Sequence, residues 1–269
     1  MNRSVRVLVG LAILLAMLSA AGCTKLRARD QLNKGVQSYK NARYEEAIEH
    51  FKNAVSLDPQ LINARLYLAT AYAQQYIPGA DTEENNRNAE QAIDEYKKVL
   101  EQDPKNVGSV KGIAYLYLQM KKFDQAKEYY RKAADIDPND PETYYSIGVI
   151  DWTQTYQPRM EERAKLGLKP TEDLKDKKVC ADLKAKNQAN VEEGIQMLEK
   201  ALQLRPDYDD AMAYMNLMYR ERADYECDDP DARAADKKAA DEWVDKTMAT
   251  KKAKAEKQGA GGIVLDQNK

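Results

Sequence analysis

The side chains that could do chemistry in this 269-residue chain are few, and their spacing suits it poorly. One histidine is present, His50, beside Phe51. It has no Cys or His neighbour at metal-ligand spacing, so it reads as a surface or edge histidine. Glu45-Glu46, Glu83-Glu84 and Glu192-Glu193 have the look of paired carboxylates for acid–base work. The first and third pairs instead suit the opening turns of helices, where acidic groups meet the positive end of the dipole. Glu83-Glu84 falls in a long turn. Asp228, Asp229 and Asp231 resemble a fragment of a calcium loop, without the glycine and closing glutamate that such a loop needs. Neither a glycine-rich phosphate loop nor Gly-x-Ser-x-Gly occurs. The expectation is a non-enzyme with no cofactor and no metal. Lys plus Arg number 42 and Asp plus Glu 44, for a net charge of −2. Nucleic-acid binders concentrate basic charge to displace counterions from phosphates, so nucleic acid is not expected as a partner.

The elements that would position any site show themselves as a recurring spacing. Ala47, Phe51, Ala54 and Pro59 are separated by 4, 3 and 5 residues. The same intervals recur at Ala92, Tyr96, Val99, Pro104, at Ala126, Tyr130, Ala133, Pro138, and at Gly194, Leu198, Ala201, Pro206. Apolar residues at 4 and 3 form one stripe of a helix, and proline ends it by pushing the preceding residue out of helical geometry. A partner helix precedes each, with Gly35, Ala69, Ala114 or Gly148 at a slot where a large side chain would hold two helices apart. Tyr outnumbers Phe and Trp, 17 against 2 and 2, which suits the half-buried positions of a thin one-layer array.

Helix, turn, helix, Asp-Pro closely resembles the tetratricopeptide repeat (TPR), over roughly Ala28 to Tyr219. The resemblance implies an all-α fold, a right-handed superhelical solenoid of about five helix pairs. The expected organisation is a signal at 1–22, a lipidated cysteine and short linker at 23–27, then repeats at 28–61, 62–106, 107–140 and 141–208. A degenerate fifth repeat with a capping helix occupies 209–258, and a flexible tail 259–269. Repeats 2, 4 and 5 carry insertions at the turn within the pair: Gln75–Asn88, Thr153–Asn190 and Ala223–Ala234. The longest, about 154–190, reads as a charged loop with one or two short helices. Equivalent turns of a stack share one edge, so these insertions form either a side wall of a groove or solvated loops.

Arg3 and Arg6 precede an apolar run from Val7 and small residues ending at Cys23, the pattern of a secretory signal. Ala20-Ala21-Gly22-Cys23 resembles a bacterial lipobox, with Ala20 where leucine is usual. That resemblance implies cleavage before Cys23 and acylation of the cysteine, including palmitate-type chains. With Thr24 next, it also implies sorting to the periplasmic face of the outer membrane. Cleavage after Ala21 and an uncleaved anchor remain open. Export would put Cys180 and Cys227, both in turn insertions on the same predicted edge, in an oxidising compartment. A disulfide between them and two separate thiols are both open.

Proteins of the TPR type usually bind peptides or helices in a concave groove lined by first helices. Carried onto this chain, that face includes Tyr39, Leu66, Tyr115, Leu118, Tyr145, Val149, Trp152 and Leu217. Leu32, Val36, Gly108 and Gly112 stand where carboxylate-clamp members have Lys, Asn and further basic groups, so a chaperone-tail clamp is not expected. An aromatic and aliphatic lining favours apolar or amphipathic protein segments, anchored at Tyr115, Tyr145 and Trp152. The alternative is that these rings pack against the next helix pair. The expected function is a membrane-tethered adaptor in the bacterial envelope, as in outer-membrane assembly or secretion. A glycan- or lipid-binding envelope protein, or an enzyme using the rim loops, are the other classes.

Overall fold

The computed structural model describes residues 23–169 and 172–260. The leader at 1–22 and the segment 261–269 lie outside the described residues, so the signal reading and most of the tail reading are not addressed by it. Every regular element among the described residues is a helix. In order these are α1 (23–40), α2 (Tyr44–Leu57), α3 (Ile62–Gln75), α4 (Glu83–Gln102), α5 (Val107–Gln119), α6 (Phe123–Ile136), α7 (Pro141–Lys165), α8 (Lys177–Leu204), α9 (Asp209–Tyr225) and α10 (Pro230–Ala260). The chain divides into two compact units, Met1–Tyr129 and Tyr130–Lys269, with the boundary inside α6.

The stop signals act as their chemistry requires. Asp58, Asp103 and Arg205 each precede a proline and leave helical geometry, at φ −143°, −134° and −135° with ψ near 90°. Each still donates its backbone N–H to the carbonyl four residues back, which closes the last turn. Two of the first helices start on side-chain caps: Asn106 accepts from Ser109 N–H at the start of α5 and Asp140 from Glu142 N–H at the start of α7, with Pro141 in the first turn, where its missing N–H costs nothing, whereas α3 and α9 start without one. Ala42 and Lys121, each seven residues after its small slot, both take φ 57° to reverse the chain within a pair.

In the first unit the core gathers Ala47, Phe51, Leu68, Ala69, Tyr72, Ala92, Tyr96, Ile113 and Leu116. The small slots are tight. A methyl group on Gly35 would lie 2.5 Å from the Phe51 ring. In the second unit, one on Gly148 would lie 2.7 Å from Leu198 Cγ. One on Gly194 would lie 1.9 Å from Met218 Cε, so α9 packs almost on the α8 backbone there.

The insertions depart from the sequence expectation. Residues 154–190 are not a charged loop: α7 runs on to Lys165 and α8 begins at Lys177, so the pair is a long helical hairpin. Cys180, Leu183, Asn187 and Val191 form a buried stripe at helical spacing. A cysteine and an asparagine hid its periodicity among the flanking lysines. Pro158 sits inside α7, with a helical turn carried past it on both sides. Likewise α9 and α10 consume most of 223–234, leaving 226–229 as the turn, and α4 starts at Glu83, leaving 76–82. Glu83-Glu84 therefore opens a helix capped by Thr82, and Glu192-Glu193 lies within α8 and opens nothing. Residues 23–27, expected as a linker, are already helical.

Candidate partner-binding site

The first helices of the first unit, α1, α3 and α5, carry Tyr39, Leu66, Tyr115 and Leu118. Tyr39 and Leu66 are half-buried against the core cluster. Tyr39 also meets the Tyr44 ring edge-on at 5.3 Å and hydrogen-bonds Gln74, and burial pushes its hydroxyl pKa up. Thr70 hydroxyl contacts Tyr96 OH at 3.2 Å. Leu118 is half-buried, whereas Tyr115 stands 52% exposed. Tyr67, which the sequence reading passed over, stacks on Phe51 at 5.6 Å and remains 38% exposed.

Along the turn edge of the same unit, residues 76–82 wall a cleft of about 650 Å³ opposite Arg43, Tyr44 and Glu46. Asn85 holds that wall in shape. Its amide donates to Ile77 O at 2.9 Å and Ala80 O at 2.7 Å, and its oxygen accepts from Ile77 N–H at 2.7 Å. The repeat 2 turn is thus held in one shape by Asn85, with Ile77 and Thr82 at the edge of this cleft and Ile77 64% exposed.

In the second unit, Tyr145 and Trp152 of α7 join an aromatic cluster. Tyr145 lies 4.9 Å from Tyr208 and 5.6 Å from Tyr214, and Trp152 lies 5.4 Å from Tyr214 and 4.7 Å from Tyr156. Both anchors therefore pack on the next helix pair while staying half-exposed. Val149 and Leu217 are half-buried beside them in sequence register. Burial, with Tyr214 and Asp210 nearby, raises the Tyr145 pKa, and burial with Glu142 lifts Tyr208 to about 12. The Trp152 indole N–H is buried without a hydrogen-bond partner among the described residues. Tyr156 keeps 36% of its surface in solvent at the edge of the cluster.

Beyond Tyr156 the extended hairpin carries a charged cluster that sequence reasoning did not find. Arg163, 3% exposed, donates to both oxygens of Asp224 at 3.0 and 2.8 Å. It also donates to the carbonyls of Lys169 at 2.5 Å and Glu172 at 2.8 Å, which pins the α7–α8 connection. Arg159 lies 3.0 Å from Glu221 and 3.3 Å from Asp224. Glu221 is 2% exposed, and burial, outweighing Arg159, lifts its carboxyl pKa to about 7. A cleft of about 620 Å³ opens here, lined by Tyr156, Arg159, Met160 and Arg163 among others. Arg163 and Asp224 form an ion-pair lock, since a guanidinium does not exchange protons near neutrality, whereas the buried Glu221 beside them is the member of the cluster that takes up or releases a proton there. The only hint in sequence is the spacing of Arg159 with Arg163 and of Glu221 with Asp224, and that spacing cannot say which helix faces which.

Cys180 and Cys227 are bridged, with Cα atoms 6.0 Å apart. The bridge ties α8 to the α9–α10 turn, so the insertions of repeats 4 and 5 do share an edge. Lys237 pairs with Asp173 along the same seam. His50 Nδ1–H donates to Gln31 Oε1 on α1 at 2.8 Å, and its Nε2 lies 3.8 Å from Glu46 on its own helix. Cys23 is exposed and unbridged.

Two tetratricopeptide repeat families match this chain, one over residues 86–147 and another over 32–61. Among solved structures, MamA from Desulfovibrio magneticus RS-1 is similar with a TM-score of 0.57 and 16% identity, covering 84% of this chain and 96% of that one. YrrB, described as a TPR protein with an unusual peptide-binding site, is similar with a TM-score of 0.55 and 14% identity, covering 92% of this chain and 98% of that one. The human protein O-mannosyl-transferase TMTC3 is 30% identical over 119 residues, 42% of this chain. The chain spans 5% to 13% of the length of the curated relatives it matches. The fold is therefore the all-α tetratricopeptide fold, a scaffold suited to protein–protein interaction and typically non-catalytic.

Proposed function

We propose that the chain is a lipid-tethered scaffold on the periplasmic face of a bacterial outer membrane, which captures apolar or amphipathic protein segments on the aromatic faces of its first helices. The observation that carries this reading is the set of rings left partly in solvent on those faces: Tyr67 and Tyr115 in the first unit, Trp152 and Tyr156 in the second. Rigid aromatic side chains contribute a large contact area at low conformational-entropy cost, and such residues dominate the energetics of interfaces. The peptide-binding description of YrrB supports the same type of partner. The tether rests on the signal-like leader ending at Cys23, followed by an exposed first turn with Leu26 70% exposed.

A photo-crosslinking residue at position 115 or 156, in envelope preparations, is expected to trap one defined protein, and Tyr156→Ala is expected to weaken capture about tenfold without loss of helical signal. Crosslinks scattered over many proteins, or none, would count against the scaffold reading. A palmitate analogue is expected to label the chain and Cys23→Ser to abolish the label. An unlabelled chain would refute the tether alone.

A further inference from the structure

Among the described residues, the α9–α10 pair carries a face that no further helix covers. In repeat 4, Tyr145 and Trp152 on the first helix are covered by Tyr208 and Tyr214 of the pair that follows. The equivalent positions on α9, by the 68-residue offset, are Ala213 and Arg220, and no described helix follows α10. Between α9 and α10 lies a shallow apolar trough of about 90 Å³, lined by Ala213, Asn216, Val244, Thr247 and Met248. Val244 is 38% and Met248 64% exposed. A salt bridge closes each end of the trough: Arg220 to Asp241 at 2.8 Å, and Lys254 to Asp209 at 2.5 Å.

The exposed stripe of α10 has an order that selects its occupant. It runs Asp241, Val244, Met248, Lys251, with spacings of 3, 4 and 3. Those spacings are palindromic about residue 246. Turned end for end, the stripe sets Met248 over Val244 and Lys251 over Asp241. Two copies crossing antiparallel at residue 246 would therefore bring Val244 onto the partner's Met248 twice and Asp241 onto the partner's Lys251 twice. With a rise of about 1.5 Å per residue, both ion pairs fall roughly 15 Å apart and at matching heights. An isologous contact needs this kind of self-complementarity. The spacing is that of any helical stripe, and the opposite charges at its two ends, Asp241 and Lys251, are what make the face complementary to a second copy.

We propose that this end face is a homodimer interface, in which the α9–α10 trough of one copy receives α10 of a second copy. The self-association goes beyond the scaffold reading and uses none of its aromatic residues. Two helix faces make a small contact, so the dimer is expected to form with micromolar affinity and not as a permanent pair.

Sedimentation equilibrium of the purified chain over roughly 1–200 µM tests this, with that range set to bracket micromolar affinity. The expected result is a concentration-dependent doubling of the 30.5 kDa chain mass, less any leader removed. Met248→Lys is expected to weaken association at least about tenfold with an unchanged melting curve, since the side chain is mostly in solvent. Asp241→Lys and Lys251→Asp are each expected to be monomeric alone, because each sets like charges together twice. Mixed in equal amounts, they are expected to dimerise again, because the heterodimer restores both opposite-charge contacts. A chain that stays monomeric throughout the range overturns the proposal. So does a dimer indifferent to Met248→Lys, or a mixture of the two charge variants that fails to associate. If the chain is monomeric and truncation after Ala260 increases Met248 oxidation, the occupant is the chain's own Ile263-Val264-Leu265 and the dimer reading falls.

Discussion

Replacing Glu221 with glutamine probes the energetics of the charged cluster with little change of shape. Glu221 is 2% exposed between α7 and α9, and neither of its carboxyl oxygens receives a well-aligned hydrogen bond. Burial is the largest influence on it and Asp224 adds repulsion, while Arg159 and Arg163 act in the opposite direction. The balance raises the pKa from 4.5 to about 7. The folded protein consequently keeps a proton that the unfolded chain has already released across that window. For such an acid, stability is greatest below the unfolded pKa and falls as pH rises, until the folded carboxyl has also ionised. At about 1.4 kcal/mol per pKa unit, the loss amounts to roughly 3 kcal/mol by pH 8. Glutamine is neutral throughout and escapes it. Urea denaturation of both chains should therefore show the variant more stable by up to about 3 kcal/mol at pH 8, and equal within about 0.5 kcal/mol at pH 4. A variant less stable at pH 8 would mean that the Arg159 pair outweighs desolvation, and the argument from burial would fail.

The Cys180–Cys227 bridge closes a loop with a sequence separation of 47, for which chain entropy alone gives about 4 kcal/mol. Dithiothreitol or the double alanine variant should lower the urea midpoint accordingly, and a thiol titration in denaturant that counts both sulfurs as free would refute the bridge. Two glycine-to-alanine changes should have opposite signs. Gly35→Ala drives a methyl group into the buried Phe51 ring and should destabilise by about 1–3 kcal/mol. At Gly108 the added methyl meets nothing closer than 3.6 Å, so Gly108→Ala should stabilise by roughly 0.5 kcal/mol through helix propensity. Equal effects at the two positions by thermal melts would contradict the packing assigned to the small slots.

The repeating unit was legible in the order of residues alone. Ala47, Phe51, Ala54 and Pro59, and the three sets that copy their spacing, encode a helical stripe and its stop within a dozen residues. Both are local properties: side-chain period and the steric effect of proline act over one or two turns. The tight slots at Gly35 and Gly148 were legible for the same reason. The remainder came from contacts between helices distant in sequence. Residues 154–190 read as a charged loop because Arg163, Cys180 and Asn187 are polar, yet each is buried once Asp224, Cys227 and Thr155 are brought to it from 32 to 61 residues away. The choice of Tyr145 and Trp152 as anchors met the same limit. Their spacing put them on a first helix, but their contacts with Tyr208 and Tyr214 arise from how two helix pairs stack. Periodicity names the buried face of a helix. It cannot name the partner across from it, because that pairing depends on distances that no stretch of one helix contains.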